Sequence, residues 1–223
     1  MKITCIIPAY NEAENIVAVI NSVKPLVDEV VVVDDCSKDN TFLLAKQQGV
    51  VALKHLINLG QGATLKTGTK YAVRDNADII VHFDADGQFL AKDIKTVIKP
   101  LVAGQADIVF GSRFINKQEY SVVMPAMKKY LLMPLAKLVN KLLFNINLTD
   151  PQSGFRAMTR QTAMTINWQQ DRMAHCSEIL CQAIKHNLRI KEVSIDIIYH
   201  HFGQRFFGGV RILIDLFLAK LVN

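Results

Sequence analysis

The chain has 223 residues, half of them hydrophobic, and a formal net charge of +6. That supports one substantial domain with a full core and excludes a low-complexity or disordered chain. The charge is uneven: residues 1–112 carry 11 Lys and Arg against 13 Asp and Glu, and residues 113–223 carry 15 against 7.

An acidic first half fits a cation site. A basic second half fits contact with phosphate, on a substrate or a membrane surface. No nucleic-acid recognition motif accompanies it, so no nucleic-acid partner is expected. Cys5, Cys36, Cys176 and Cys181 match no zinc spacing and follow no secretory signal, so a reducing cytoplasm is the expected compartment. No uncharged apolar stretch reaches the roughly 18 residues of a membrane helix.

Apolar runs and helical spacing alternate through the first half. Ile3–Ile7 reads as a strand ending at Pro8. Glu12–Val23 has helical spacing, with Ile16, Val19, Ile20 and Val23 on one face. Glu29–Val33 is a second strand, ending at Asp34-Asp35. Thr41–Gln48 reads as a helix that Asp39 or Asn40 can cap. Val50–Leu53 is a third strand, Gly62–Val73 a helix, Ile79–Phe83 a fourth strand, Lys92–Ala103 a helix, and Ile108–Phe110 a fifth strand. This alternation predicts a mainly parallel sheet with helices on both faces. In such sheets ligands bind beyond the carboxyl ends of the strands.

Beyond those ends lie Pro8-Ala9-Tyr10-Asn11-Glu12, Asp34-Asp35-Cys36-Ser37, Asp84-Ala85-Asp86-Gly87-Gln88 and Arg113. Asp84 and Asp86, two residues apart past a strand, face the same way. Like charges that close repel unless a cation lies between them. Oxygen ligands of this kind suit Mg²⁺ or Mn²⁺, which keep a phosphate as a further ligand, and the amide oxygen of Gln88 could be a third protein ligand. Asp-Gly also marks a simple turn. No G-x-G-x-x-G follows the first strand, no Walker A sequence is present, and Gly60-Gln61-Gly62 reads as a tight turn and helix start.

After Arg113 the pattern changes. Residues 125–148 read as a basic amphipathic helical segment, suited to an anionic membrane surface or to half-burial. The polar loop Asp150-Pro151-Gln152-Ser153-Gly154-Phe155-Arg156 enters a strand. Cys176–His186 reads as helix and Arg189–Ile198 as a strand region. Val210–Val222 is almost wholly apolar but too short to span a bilayer. It would be buried in the core, lie at a membrane interface or dock on a partner.

Five motifs in order, Ile7–Glu12, Val33–Asp39, Phe83–Gln88, Gly111–Phe114 and Gln152–Ala157, resemble the family-2 glycosyltransferases of GT-A fold. The likeness is greatest to the dolichyl-phosphate mannosyltransferase and polyprenyl-phosphate glycosyltransferase group and covers about positions 3–205. It implies a GT-A (Rossmann-like) α/β domain over 1–206, with an apolar helix over 207–223 for membrane or partner docking. It also implies that Pro8, Tyr10, Glu12, Asp35 and Ala85 bind the nucleotide sugar. Asp84, Asp86 and Gln88 would hold Mg²⁺ or Mn²⁺ on its diphosphate, and Arg113 would contact phosphate. Lys128, Gln152, Ser153, Gly154, Arg156 and Arg205 would serve the acceptor or its phosphate.

Three departures stand out. Cys36 occupies a position where many relatives have glycine, a strained one if φ is positive. Lys128 replaces an arginine, losing a bidentate grip. The stretch His200–Arg205 follows the family only loosely. The implied reaction is inverting transfer of a sugar from GDP-mannose or a UDP-sugar to a dolichyl or undecaprenyl phosphate, on the cytoplasmic face of a membrane. A separate membrane subunit or a second copy would be a further partner. A phosphate acceptor is its own nucleophile at neutral pH. A hydroxyl acceptor would need a base, for which Asp150 comes first and Glu178 second. The alternatives are a related transferase using a UDP-sugar and a hydroxyl acceptor, and a non-catalytic nucleotide-sugar-binding subunit.

Overall fold

The computed structural model describes residues 1–115 and 148–198. The expected segment 125–148, save its last residue, lies outside them, as do the apolar segment 207–223, Lys128, His200, His201 and Arg205.

The elements in chain order are β1 (Ile3–Ala9), α1 (Ile16–Val23), β2 (Glu29–Asp34), α2 (Thr41–Gln47), β3 (Val51–Lys54), α3 (Gln61–Arg74), β4 (Ile79–His82), α4 (Ile94–Val102), β5 (Ile108–Ser112), β6 (Arg156–Thr159), α5 (Arg160–Thr165), α6 (His175–Lys185) and β7 (Ile190–Ser194). Among the described residues the strands form one sheet of order β3-β2-β1-β4-β6-β5-β7. All neighbours run parallel except β6, which is antiparallel to both β4 and β5. The expected mainly parallel α/β sheet is what forms.

Side-chain alternation along each strand divides the core into two layers. Cys5, Ile7, Val30, Val32, Ile79 and Val81 face one way, against Ile16, Val19, Ile20 and Val23 of α1 and Ile94, Val97 and Leu101 of α4. Ile6, Val31, Val33, Ile80, Ile108, Phe110 and Met158 face the other, against Leu65 and Ala72 of α3, Trp168, and Ile179, Leu180 and Ala183 of α6. The α1 stripe is the one its helical spacing predicts. At α2 the N-cap residue is Asn40, which makes no side-chain cap; Oδ1 of the preceding Asp39 accepts from the Thr41 amide at 3.0 Å.

The strand order places the site. From β1 the chain goes outward to β2 and β3, then returns across β1 to β4, so the crevice between β1 and β4 is the topological switch point. Pairing of β1 with β4 stops at Ile6 and His82, followed by one last bond from the Phe83 amide to the Ile6 carbonyl at 3.0 Å. Pro8 is the next β1 residue facing that side and has no N–H to continue the ladder. The two strands part there, and Asp84 stands in the opening.

Candidate active site

Asp84 and Asp86 sit on a turn that rests on an aromatic cluster. Phe83, Phe89 and Phe155 pack with ring centroids 5.1–5.9 Å apart. The Gln88 amide donates to Asp86 Oδ1 at 3.0 Å, and the Gln88 carbonyl accepts from the Ile198 amide at 2.8 Å. The turn and the carboxylate pair are therefore one structure: Asp86 closes the turn with one of its oxygens.

Asp84 is half-buried and held on two sides. Gln61 Nε2 donates to its Oδ1 at 2.8 Å. The backbone of Gly154 lies against its other oxygen so closely that a Cβ there would stand 2.3 Å from Oδ2. Burial, then the charge of Asp86, pushes the Asp84 carboxyl up to about 7, against the opposing pull of Arg156 and His175. Burial and the same Asp86 charge also raise the Glu12 carboxyl, against a hydrogen bond from Asn15. Glu12, Asp84 and Asp86 thus share one negative field.

Among the described residues no three His, Cys, Asp or Glu side chains converge closely enough to hold a metal alone. Two oxygen ligands with no nitrogen or sulfur donor suit a hard cation that takes its remaining ligands from a diphosphate. The residues present fit Mg²⁺ or Mn²⁺ in that shared arrangement.

The expected nucleotide residues share this edge. Pro8 is buried, Ala85 is buried beneath the turn, and Tyr10 is 43% exposed at the rim. Asp35 is more committed than its sequence position suggests. Its Oδ1 accepts from the Leu59 amide at 2.9 Å and meets His55 Nδ1 at 2.8 Å; its Oδ2 accepts from the Gly60 amide at 2.7 Å. Its first work is to shape the loop over residues 55–60. Cys36 does adopt positive φ, at 63°, the strained conformation anticipated for a non-glycine residue.

Arg113 enters from the end of β5 and is gripped by Asp150. Its Nε donates to Asp150 Oδ2 at 2.5 Å and its Nη2 to Oδ1 at 2.8 Å, a bidentate pair with Asp150 only 2% exposed. Asp150 is fixed in turn through its amide, which donates to Glu192 of β7 at 2.7 Å. This corrects the expectation of Asp150 as a base: both oxygens are engaged by a guanidinium, so it is an anchor for Arg113. Glu178 is committed as well, accepting from the amides of Gln169 and Gln170 at 2.8–2.9 Å.

The acceptor-side expectations divide. Gly154 lies in the site, against Asp84. Gln152 donates to Ser177 Oγ at 2.6 Å, while its Oε1 is buried with no partner among the described residues. Ser153 is buried, with Oγ turned to the Phe155 carbonyl, so it serves the loop. Arg156 is the clear correction. It is fully buried, with Nη2 at 3.1 Å from His175 Nε2 and 3.2 Å from Cys176 Sγ, and it cannot meet an incoming acceptor. Its Nε and Nη1 are buried with no hydrogen-bond partner among the described residues, and its charge pulls against the rise of the Asp84 carboxyl.

The Arg156 cluster was invisible in the sequence. His175 Nδ1 donates to the Arg172 carbonyl at 2.7 Å, which leaves Nε2 as the acceptor for Arg156. Burial, then Arg156, depresses His175 to about 4 and holds His82 well below the usual imidazole range. Both rings are neutral scaffolding. Gln61 was also missed, although the glycine pair around it was the available signal.

The Glycosyl transferase family 2 profile matches residues 4–166, nearly three quarters of the chain. The chain belongs to glycosyltransferase family 2. The UDP-N-acetylglucosamine–dolichyl-phosphate N-acetylglucosaminyltransferase of Methanococcus voltae is 36% identical over 97% of this chain and 95% of that protein. The polyprenol monophosphomannose synthase of Mycolicibacterium smegmatis is 26% identical over 93% of this chain and 81% of its own length. The fold is that of glucosyl-3-phosphoglycerate synthase from Mycobacterium tuberculosis, solved with Mn²⁺, UDP and phosphoglyceric acid; the TM-score is 0.74 at 19% identity, covering 96% of this chain and 77% of that one. The GT-A architecture and the glycosyltransferase class anticipated from the motifs both hold.

Proposed function

We propose that this glycosyltransferase moves a sugar from a nucleotide diphosphate to a polyprenyl phosphate at a membrane surface, with inversion at the anomeric carbon. The observation that carries the reading is the Methanococcus voltae relative, which matches nearly end to end and is named for transfer to dolichyl phosphate. Relatives named as a polyprenol monophosphomannose synthase and an undecaprenyl-phosphate mannosyltransferase support the same acceptor class.

Pro8, Tyr10, Glu12, Asp35 and Ala85 would bound the base and ribose. Asp84 and Asp86, with Gln88 beside them, would hold Mg²⁺ or Mn²⁺; the Mn²⁺–UDP complex of the structural neighbour supports this choice. When bound, the cation would neutralise charge on the departing diphosphate. Arg113, aimed by Asp150, would stabilise the same charge. An acceptor phosphate oxygen attacks the anomeric carbon, the bond to the donor's β-phosphate oxygen breaks, and that electron pair leaves on the nucleoside diphosphate. Lys128 and Arg205 would contact phosphate, and Gln152 and Gly154 would border the acceptor side.

A phosphate acceptor also fits the commitments of the two candidate bases. Its second pKa is about 6, so it is nucleophilic at neutral pH unaided. A hydroxyl acceptor would need a base. Asp150 is occupied by Arg113 and Glu178 by two backbone amides.

No helix of the described residues is long and apolar enough to cross a membrane. Peripheral contact through the basic second half is the proposed mode, alone, as a homo-oligomer or with a membrane subunit. The test is incubation with labelled nucleotide sugars and polyprenyl phosphate in detergent. Sugar in the lipid extract supports the reading; transfer only to hydroxyl acceptors overturns it.

A further inference from the structure

The start of α3 is clamped from two sides. On the nucleotide side, Asp35 takes the amides of Leu59 and Gly60 at 2.9 and 2.7 Å. On the other flank, the Ala63 amide donates to the Asp171 carbonyl at 3.1 Å, and Trp168 Nε1 donates to the Gly62 carbonyl at 2.9 Å. The two glycines permit that contact. A Cβ at Gly60 would stand 2.5 Å from the Asp171 oxygen, and one at Gly62 would stand 2.2 Å from the Gln170 oxygen. Gln61, between them, therefore projects from a backbone with little freedom, and its amide reaches Asp84 Oδ1 at 2.8 Å.

We propose that Gln61 is a positioning residue for the divalent-cation site: its amide fixes the rotation of the Asp84 carboxylate. The inference rests on the cation reading of Asp84 and Asp86. The terminal torsion of an aspartate is broad and nearly two-fold, so an unrestrained carboxylate turns easily. Gln61 holds one oxygen while the Gly154 backbone confines the other, and together they leave one orientation. The amide must present its NH₂ group, because its carbonyl would repel the carboxylate. A partner of this kind tunes a metal site without touching the metal. Gln61 also joins two parts of the site, since the loop that Asp35 shapes runs directly into the residue that aims Asp84.

The experiment titrates Mn²⁺ into wild type and Gln61→Leu with saturating UDP, and in a parallel series GDP, reading free Mn²⁺ by electron paramagnetic resonance. Gln61→Leu keeps the volume and removes the donor. The expected result is about a 10-fold weaker Mn²⁺ affinity, within the range that outer-shell partners command. The thermal midpoint in chelator should match wild type, and kcat should fall more than KM for the nucleotide sugar changes. Equal Mn²⁺ affinity in the two proteins overturns the role of Gln61 and leaves the cation reading intact. A wild type that binds no Mn²⁺ with either nucleotide overturns the cation reading and this inference with it.

Discussion

Asp84 shows how much chemistry a single side chain gathers in this site. Two consequences follow for substitutions around it. Asp86→Ala removes the other proposed cation ligand, so Mn²⁺ binding should be lost and turnover should fall about 10²–10³-fold, the usual cost of removing an element aimed at transition-state charge. Gly154→Ala adds a methyl whose carbon would stand 2.3 Å from Asp84 Oδ2, so the carboxylate must move. A shift near 1 Å costs about 10²-fold in rate. Gly154→Ala should therefore lose activity while its far-UV circular dichroism matches wild type; full activity would contradict the close approach. For Asp150 the pairing with Arg113 makes a sharper test. An anchor tolerates Asp150→Asn in part, since an amide still accepts one hydrogen bond, whereas a base would lose its rate with the carboxylate.

At the scale of elements, the buried cluster under β4, β6 and α6 sets the response to acid. His175 titrates near 4 in the fold against about 6.5 in the open chain, so the unfolded state takes the proton first. Its contribution is complete above pH 6.5 and is lost as pH falls toward 4, by about 3 kcal/mol. His82 shifts in the same direction. Asp84 opposes them: its folded value, about 7, lies above the ordinary carboxyl range, so its protonation favours the fold between about pH 7 and 4. Asp84→Asn removes that opposing contribution and leaves the histidine effect in place. Denaturant midpoints of that variant should fall more steeply than wild type from pH 6.5 to 4; parallel curves would contradict this assignment.

The same elements show what was legible in advance. Apolar runs and the Ile16–Val23 stripe revealed β1 to β5 and α1, because burial on one face leaves a period in the sequence. The insertion of β6 between β4 and β5 left no such mark. Arg156-Ala157-Met158-Thr159 is four residues long, and strand neighbours and direction are set by contacts distant in sequence. For the same reason Arg156 read as an acceptor-side residue and Asp150 as a candidate base for a hydroxyl acceptor. Their partners, His175 and Arg113, are 19 and 37 residues away. The short, threonine-rich α5 was passed over because it carries little helical periodicity.

At the scale of the whole molecule, the split between an acidic first half and a basic second half becomes a division of labour. Acidic strand ends would face the cation and the donor, and basic surface would face anionic lipid. High salt together with removal of residues 207–223 should release the protein from membranes in a sedimentation assay, since screening and loss of apolar area weaken both contributions. Unchanged pelleting after both would contradict peripheral attachment.

The most direct test of the central claim is formation of a lipid-linked sugar. Purified protein, a panel of labelled nucleotide sugars, Mn²⁺ and a polyprenyl phosphate should yield sugar joined through phosphate to the lipid, with yield falling to background in chelator and in Asp86→Ala. No lipid-linked product from any nucleotide sugar, with wild-type protein shown to bind Mn²⁺ and nucleotide, would contradict it.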